Sequence, residues 1–319
     1  MALSLGSLAD YTKQLIKPLL TSAVIGARTQ QLIMDGGVVI PGAKGPVAIP
    51  LMDTDAFFQT DACGYNPSGT TTFTQRTITP GKIMISETIC PKNFEAKFTA
   101  EALKAGSTYT DFGNADFLEA YLSKKNARIA AQLETAIWQG TTASGDGNLN
   151  KFDGLSALID GGSPVDANVS GFTGVATITT ITQSNVVAAT EGIYKAIPAA
   201  VMAKGDVKIM CGYDWYRLLI MAYRALNLFS YNPQDVNAQS FILPGTNIEI
   251  VPVNGLNGTG DAYGLSLSNI AMAVDLEGEE QNYRLWYSED NDEIRSKVAF
   301  KLGVNVAFTN ECVKFKAAI

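Results

Sequence analysis

Leu133-Glu134-Thr135-Ala136-Ile137-Trp138-Gln139-Gly140 is followed, after a polar loop, by Lys151-Phe152-Asp153-Gly154-Leu155, and the rest of the chain is best read outward from these two segments. The first closes the strongest helical pattern in the sequence. Leu118, Leu122, Ile129, Leu133 and Ala136 fall on one stripe, widened by Phe117, Tyr121 and Ile137, so the spacing predicts a helix over 115–138. Asn114 suits its N-cap, Asp116 and Glu119 suit the positive end of its dipole, and Gly140 suits its stop. At about 1.5 Å per residue this rod would be roughly 36 Å long, as wide as a small domain.

Upstream of the rod the text is β-like. Stretches 47–59 and 70–79 are separated by the turn signal Asn66-Pro67-Ser68-Gly69, and a further strand, 82–90, follows Pro80-Gly81. A two-stranded arm of this kind is marginal alone and needs something to lie on. Before it, residues 3–34 read as a mildly basic amphipathic arm interrupted by Pro18. Downstream of the rod, a Thr-rich strand is expected over 175–181. A helix over 184–204 broken by Pro198, a strand over 207–211 and a helix over 213–228 come next. Strands over 248–253 and 270–276 complete an α/β region, and strands over 283–288, 294–308 and 312–315 end the chain.

The composition excludes much chemistry. The chain has no histidine, so it holds no Ser-His-Asp or Cys-His dyad and no imidazole metal ligand. Cys63, Cys90, Cys211 and Cys312 never form a C-x-x-C pair and read as small apolar residues. No G-x-S-x-G occurs, and a nucleophile at Cys90 or Cys211 would need a base other than histidine. Gly255, Gly258 and Gly260 precede no P-loop lysine and read as a loop tip. The acidic run 289–293 reads as a charged turn rather than a calcium loop. Trp138, Trp215 and Trp286 lie within helix or strand periodicity and suit packing. No catalytic, cofactor-binding or metal-ligating residue is therefore expected.

A net charge of −7 with no Lys/Arg run argues against a dedicated nucleic-acid binder. Neither a signal peptide nor a membrane span is expected, which leaves synthesis in a cytoplasm. Charged residues make up 17% of the chain, against about 25% in an average soluble protein. Surface so poor in charge suits burial against neighbouring copies, because obligate interfaces resemble a core cut in half.

The order of parts, with the two opening segments, resembles the major capsid protein of tailed bacteriophages, the Hong Kong phage (HK97-like) capsid fold that encapsulin shells share. Supporting segments are Ile209-Met210-Cys211-Gly212-Tyr213-Asp214-Trp215-Tyr216-Arg217-Leu218-Leu219 and Lys297-Val298-Ala299-Phe300-Lys301-Leu302-Gly303-Val304. The resemblance covers nearly the whole chain. It implies an α+β architecture: N-terminal arm 1–35, extended β-hairpin loop 36–93, and a peripheral domain 94–154 and 276–319 around the spine helix 115–138. An inserted α/β axial domain, 155–275, completes it.

It also implies self-assembly into the hexamers and pentamers of an icosahedral shell around double-stranded DNA, touched non-specifically. Portal, scaffolding or decoration proteins are the implied further partners. The product would sit in the virion capsid after assembly in the bacterial host cytoplasm, with no membrane contact. Phe57, Phe58, Asn66, Phe73, Arg76 and Tyr231 are the candidate inter-subunit contacts. Some relatives weld subunits through a Lys–Asn isopeptide bond. Here no lysine lies between Lys44 and Lys82, so no such cross-link is expected. The chain shows no long charged N-terminal coiled coil, so scaffolding would come from a separate protein or from a segment that was cut away. An encapsulin-type compartment is the sister reading. A histidine-free α/β enzyme and a tail or portal component are readings of other kinds.

Overall fold

The computed structural model describes residues 28–60, 63–64, 67–90, 115–226, 241–275, 284–288, 290–291 and 293–319. The arm up to residue 27, Asn66, the N-cap Asn114 and Tyr231 lie outside them. The description starts with α1 (Arg28–Gly36), which buries Thr29, Gln30 and Ile33. The last residues of the expected arm thus dock on their own subunit. Next come β1 (Val38–Pro41), then β2 (Val47–Thr54) and β3 (Thr71–Ile78), an antiparallel ribbon pairing Val47 with Ile78 and Thr54 with Thr71. β4 (Gly81–Ile89) follows. The rod is α2 (Ala115–Gln139), and its C-terminal half buries Ile129, Leu133, Ala136, Ile137 and Trp138.

Beyond the rod lie α3 (Leu155–Asp160), β5 (Val165–Asp166) and α4 (Ser170–Thr173). The expected strand over 175–181 is absent; only Thr180 bridges, to Ala318. Asn168 is the reason. Its side chain accepts from Ile178 N–H at 2.8 Å and donates to Ile178 O at 2.8 Å, replacing a neighbouring strand. α5 (Val186–Ala196) and α6 (Ala199–Met202) split at Pro198, with Ile197 pushed to extended backbone (ψ 123°). β6 (Val207–Cys211), α7 (Tyr213–Ala225), β7 (Phe241–Ile242), β8 (Glu249–Pro252) and β9 (Ala262–Ser266) complete this half.

The chain ends through β10 (Ile270–Asp275), β11 (Arg284–Ser288), β12 (Glu293–Val306) and β13 (Val313–Phe315). Asp290 and Asn291 of the acidic run sit at the turn of the β11–β12 hairpin, closed by the Ser288–Glu293 pair. β12 is the centre of the first sheet. β4 runs along one edge of it, pairing Ile89 with Ile294 and Gly81 with Leu302. β10 and β11 share the opposite edge in tandem, and β1 pairs with β10 in parallel. The second sheet has the order β5-β13-β9-β6-β8-β7.

Two strands are therefore exchanged relative to the sequence reading. β10, expected in the α/β region, belongs to the first sheet, and β13, expected with the terminal strands, belongs to the second. Likewise β1 and β4, expected within the extended loop, are members of the first sheet, so only β2 and β3 stand apart as a ribbon. The two chain crossings lie side by side and are tied by Asn269. Its Nδ2 donates to Phe308 O at 2.7 Å, and its Oδ1 accepts from Phe308 N–H at 2.7 Å.

Period-two alternation sorts the core. Val298, Phe300, Leu302, Val304 and Val306 of β12 and Ile270, Met272 and Val274 of β10 share one core with Ile129, Leu133 and Ile137 of α2. Met210, Val251, Tyr263 and Leu265 of the second sheet join them. The other face of that sheet, through Ile209, Cys211, Ile250, Ala262 and Phe315, packs on α5 and α7. Ala271 and Ala273, on the far side of β10, meet Ile78 at the base of the ribbon. The C-terminal half of α2 thus shares its core with strands of both sheets.

Candidate assembly surfaces

The opening segments form one joint. Gly140 N–H donates to Ala136 O at 2.9 Å, and Gly154 N–H donates to Gly140 O at 2.8 Å. A Cβ on Gly154 would sit 2.7–2.8 Å from the carbonyl oxygens of Ile137, Ala136 and Trp138, so only glycine lets the loop lie against the helix end. Asp153 holds that loop by accepting from Thr142 N–H at 2.7 Å.

Gly255, expected at a loop tip, is instead buried in the turn 254–256 against α2. A Cβ there would fall 2.9 Å from Trp138 Cγ and closer still to Glu134 O. Gly260 likewise serves close approach, a Cβ there falling 2.5 Å from Ala318 O, whereas Gly258, at φ 74° with open space around it, is the expected loop glycine. Gly255→Ala is expected to cost about 1–3 kcal/mol by overpacking, read as a lowered urea midpoint at unchanged slope.

A buried polar relay crosses the same joint. Trp138 Nε1 donates to Thr29 Oγ1 at 2.9 Å, Thr29 Oγ1 donates to Glu134 Oε1 at 3.3 Å, and Asn254 N–H donates to Glu134 Oε1 at 3.1 Å. Burial pushes the Glu134 carboxyl above its ordinary value of 4.5, and hydrogen bonds from Asn254 and Thr29 pull it partly back. A raised folded-state pKa means that stability is full below pH 4.5 and declines as pH rises through the folded-state value. Gln at 134 keeps an acceptor and carries no charge. Glu134→Gln is thus expected to gain on wild type between pH 4 and pH 7, in urea titrations at both; a constant difference would contradict the assignment.

Among the described residues, the ribbon is anchored only at its base. Arg76 Nη1 donates to Val306 O at 2.7 Å, Asn305 Nδ2 donates to Thr77 O at 2.9 Å, and Lys301 Nζ donates to Lys44 O at 2.9 Å. Gly303 of β12 gives Ile78 and Pro80 room to cross. Arg76 is thus engaged within its own chain. Away from the base, Phe57 is 65% exposed, Phe73 is 76% exposed and Phe58 is fully exposed. The structure adds Met52, paired across from Phe73, with Met84 and Trp286 on the first sheet, to the exposed apolar set. Their exposure is set by sheet partners distant in sequence, so alternation alone does not single them out.

No protein-family model matches the sequence, nor does any curated protein. Solved structures do match it in fold. A chain of the satellite phage P4 procapsid, solved with the size determination protein Sid, superposes with a TM-score of 0.61 over 98% of each chain at 9% identity. A chain of Gordonia phage Cozz gives 0.53 over 90% of this chain and 86% of its own, at 12% identity. A chain from the capsid of an empty GTA particle, computed with C5 symmetry, gives 0.52 over 90% and 89%, also at 12%.

This is the HK97-like capsid fold.

Elsewhere the capsid-fold chain has little reactive machinery among its described residues. Burial pushes the Cys211 thiol up and the Cys312 thiol up to about 12, so neither is a thiolate nucleophile near neutral pH. No cluster of three or more Cys, Asp or Glu side chains suited to a metal ion occurs among the described residues, and no described helix is long and apolar enough to cross a membrane. Lys316 sits between Asp160, its close ion-pair partner, and Asp261 at 4.0 Å, which fastens the C-terminal residues to α3 and to the start of β9.

Proposed function

We propose that this protein is the major capsid protein of a tailed phage, whose copies close into hexamers and pentamers and then into an icosahedral shell around double-stranded DNA. The observation that carries the reading is the end-to-end match in fold, over 98% of both chains, to a procapsid subunit. The exposed apolar ribbon gives the reading its physics. A ribbon that buries so little within its own subunit gains its stability by lying on another copy.

In this reading Phe57, Phe58 and Phe73 are inter-subunit contacts. The sheet centred on β12, with the rod, forms the peripheral part, and the sheet centred on β6 and β9 forms the axial part. The protein is a structural component and not an enzyme. It works in the virion after assembly in the host cytoplasm, and its contact with packaged DNA is non-specific.

Negative-stain microscopy of the expressed full chain tests this. Shells, or rings of five and six, are expected; a monomer at high concentration would overturn it. Nuclease-protected DNA inside particles separates the phage shell from an encapsulin-type compartment, which would enclose a protein cargo.

A further inference from the structure

The backbone of the ribbon leaves one edge open and closes the other. Asp55 N–H donates to Thr70 O at 3.1 Å, and this bond sets the phase of the ladder. Pairs Asp53–Thr72, Leu51–Thr74 and Ile49–Arg76 then exchange hydrogen bonds inside the ribbon. Pairs Thr54–Thr71, Met52–Phe73 and Pro50–Gln75 turn their backbone groups outward. On β2 the outward row is broken at Pro50, which has no N–H to offer. On β3 the outward N–H and C=O groups of Thr71, Phe73 and Gln75 have no partner among the described residues, and all three residues are exposed. Arg76 of β3, which could guard this edge with its charge, is drawn back onto Val306 O.

We propose that this open edge is completed by β3 of a second copy, antiparallel about a two-fold axis at Phe73, giving the four-stranded sheet β2-β3-β3-β2. Three observations favour the same strand as occupant. Antiparallel pairing about a two-fold axis is the one way an edge pairs with itself, and the contact is then isologous. Thr71-Thr72-Phe73-Thr74-Gln75 is nearly self-complementary about its centre. The pairing sets Phe73 opposite Phe73, Thr72 opposite Thr74 and Thr71 opposite Gln75, with no like charges opposed. Outward groups meet outward groups in this register, forming about six hydrogen bonds. The faces agree as well. Met52 lies across from Phe73 on its own ribbon, so the joined sheet carries one apolar stripe, Met52-Phe73-Phe73-Met52, over four strands. This inference deepens the assembly reading and rests on it.

The test uses full-length protein. Gln75→Pro removes an N–H that only an added strand would use, and mirrors Pro50 directly across the ribbon. It is expected to leave the urea midpoint of the subunit unchanged and to lower particle yield at least tenfold, while Gln75→Ala assembles as wild type. In a Cys63→Ser, Cys90→Ser background, Phe73→Cys is expected to give a disulfide-linked dimer in assembled material, because directly paired antiparallel residues lie within disulfide reach. Normal particles from Gln75→Pro, or no Cys-linked dimer in assembled Phe73→Cys, overturn the inference and leave the capsid reading intact. A wild-type chain that never assembles overturns both. Should Gln75→Pro fail to fold, the cross-link decides.

Discussion

Replacing Phe57, Phe58 and Phe73 together by serine is expected to abolish assembly while leaving the subunit as stable as wild type. All three side chains are exposed on the isolated subunit, so the folded monomer loses almost no packing when they go. Fully burying a Phe side chain contributes about 1.5–3 kcal/mol. Even with the lower value and imperfect additivity, each subunit contact loses several kcal/mol, and each 1.4 kcal/mol is about a tenfold change in association. The protein concentration needed for assembly should rise by at least about a thousandfold, and light scattering coupled to size exclusion would show monomers where wild type gives particles. A matched triple change at Val169, Val175 and Ile319, also exposed apolar residues but off the ribbon, separates the ribbon's role from general surface hydrophobicity. Equal loss of assembly in both triples would remove the ribbon from its special position.

The second large effect lies inside the subunit. Trp138→Ala is expected to destabilise the fold by about 3–5 kcal/mol, a large part of the roughly 5–15 kcal/mol that holds a typical native state. Trp138 is fully buried, stacks on Tyr263 with ring centroids 5.6 Å apart, and is the floor on which Gly255 rests. Its loss opens a cavity between α2 and the second sheet and leaves Thr29 Oγ1 without its indole donor. Trp138→Phe fills most of that space and should cost less, chiefly the hydrogen bond and part of the stacking. A urea titration that places Trp138→Ala within 1 kcal/mol of wild type would show that the rod's end is not a centre of the core.

What the amino-acid text revealed was local. The rod was legible because a 3.6-residue stripe and a glycine stop need no knowledge of distant partners, and it ends one residue past the expected place. The break at Pro198 follows equally from neighbours in sequence. Sheet membership was not legible. β10 and β13 have the composition of strands in either sheet, and their exchange depends on Asn269 gripping Phe308 across the fold. The Thr-rich run read as a strand because β-branched residues favour one, yet a single Asn168 side chain satisfied the backbone there first. Glu134 gave no signal as a buried acid, since its partners lie at residues 29 and 254. Phe57, Phe58 and Phe73 were nameable as aromatic residues on a polar arm, whereas the inward engagement of Arg76 required Val306 to be in place.

The position of β12 also sets the order of events as the chain is made. Among the described strands β4 has no partner until Glu293–Val306 exists, and Arg76 reaches an acceptor 230 residues further on. Pairings this remote are slow to find, because loop closure must be achieved before any contact rewards it. A ribosome-bound nascent chain therefore emerges with the ribbon unanchored and its base unset, and the arm takes its final direction only once nearly the whole chain has been translated. In the proposed shell the late synthesis of one central strand would act as a timer: an incomplete chain could not aim its ribbon at a neighbour, and truncated products would stay out of the growing lattice.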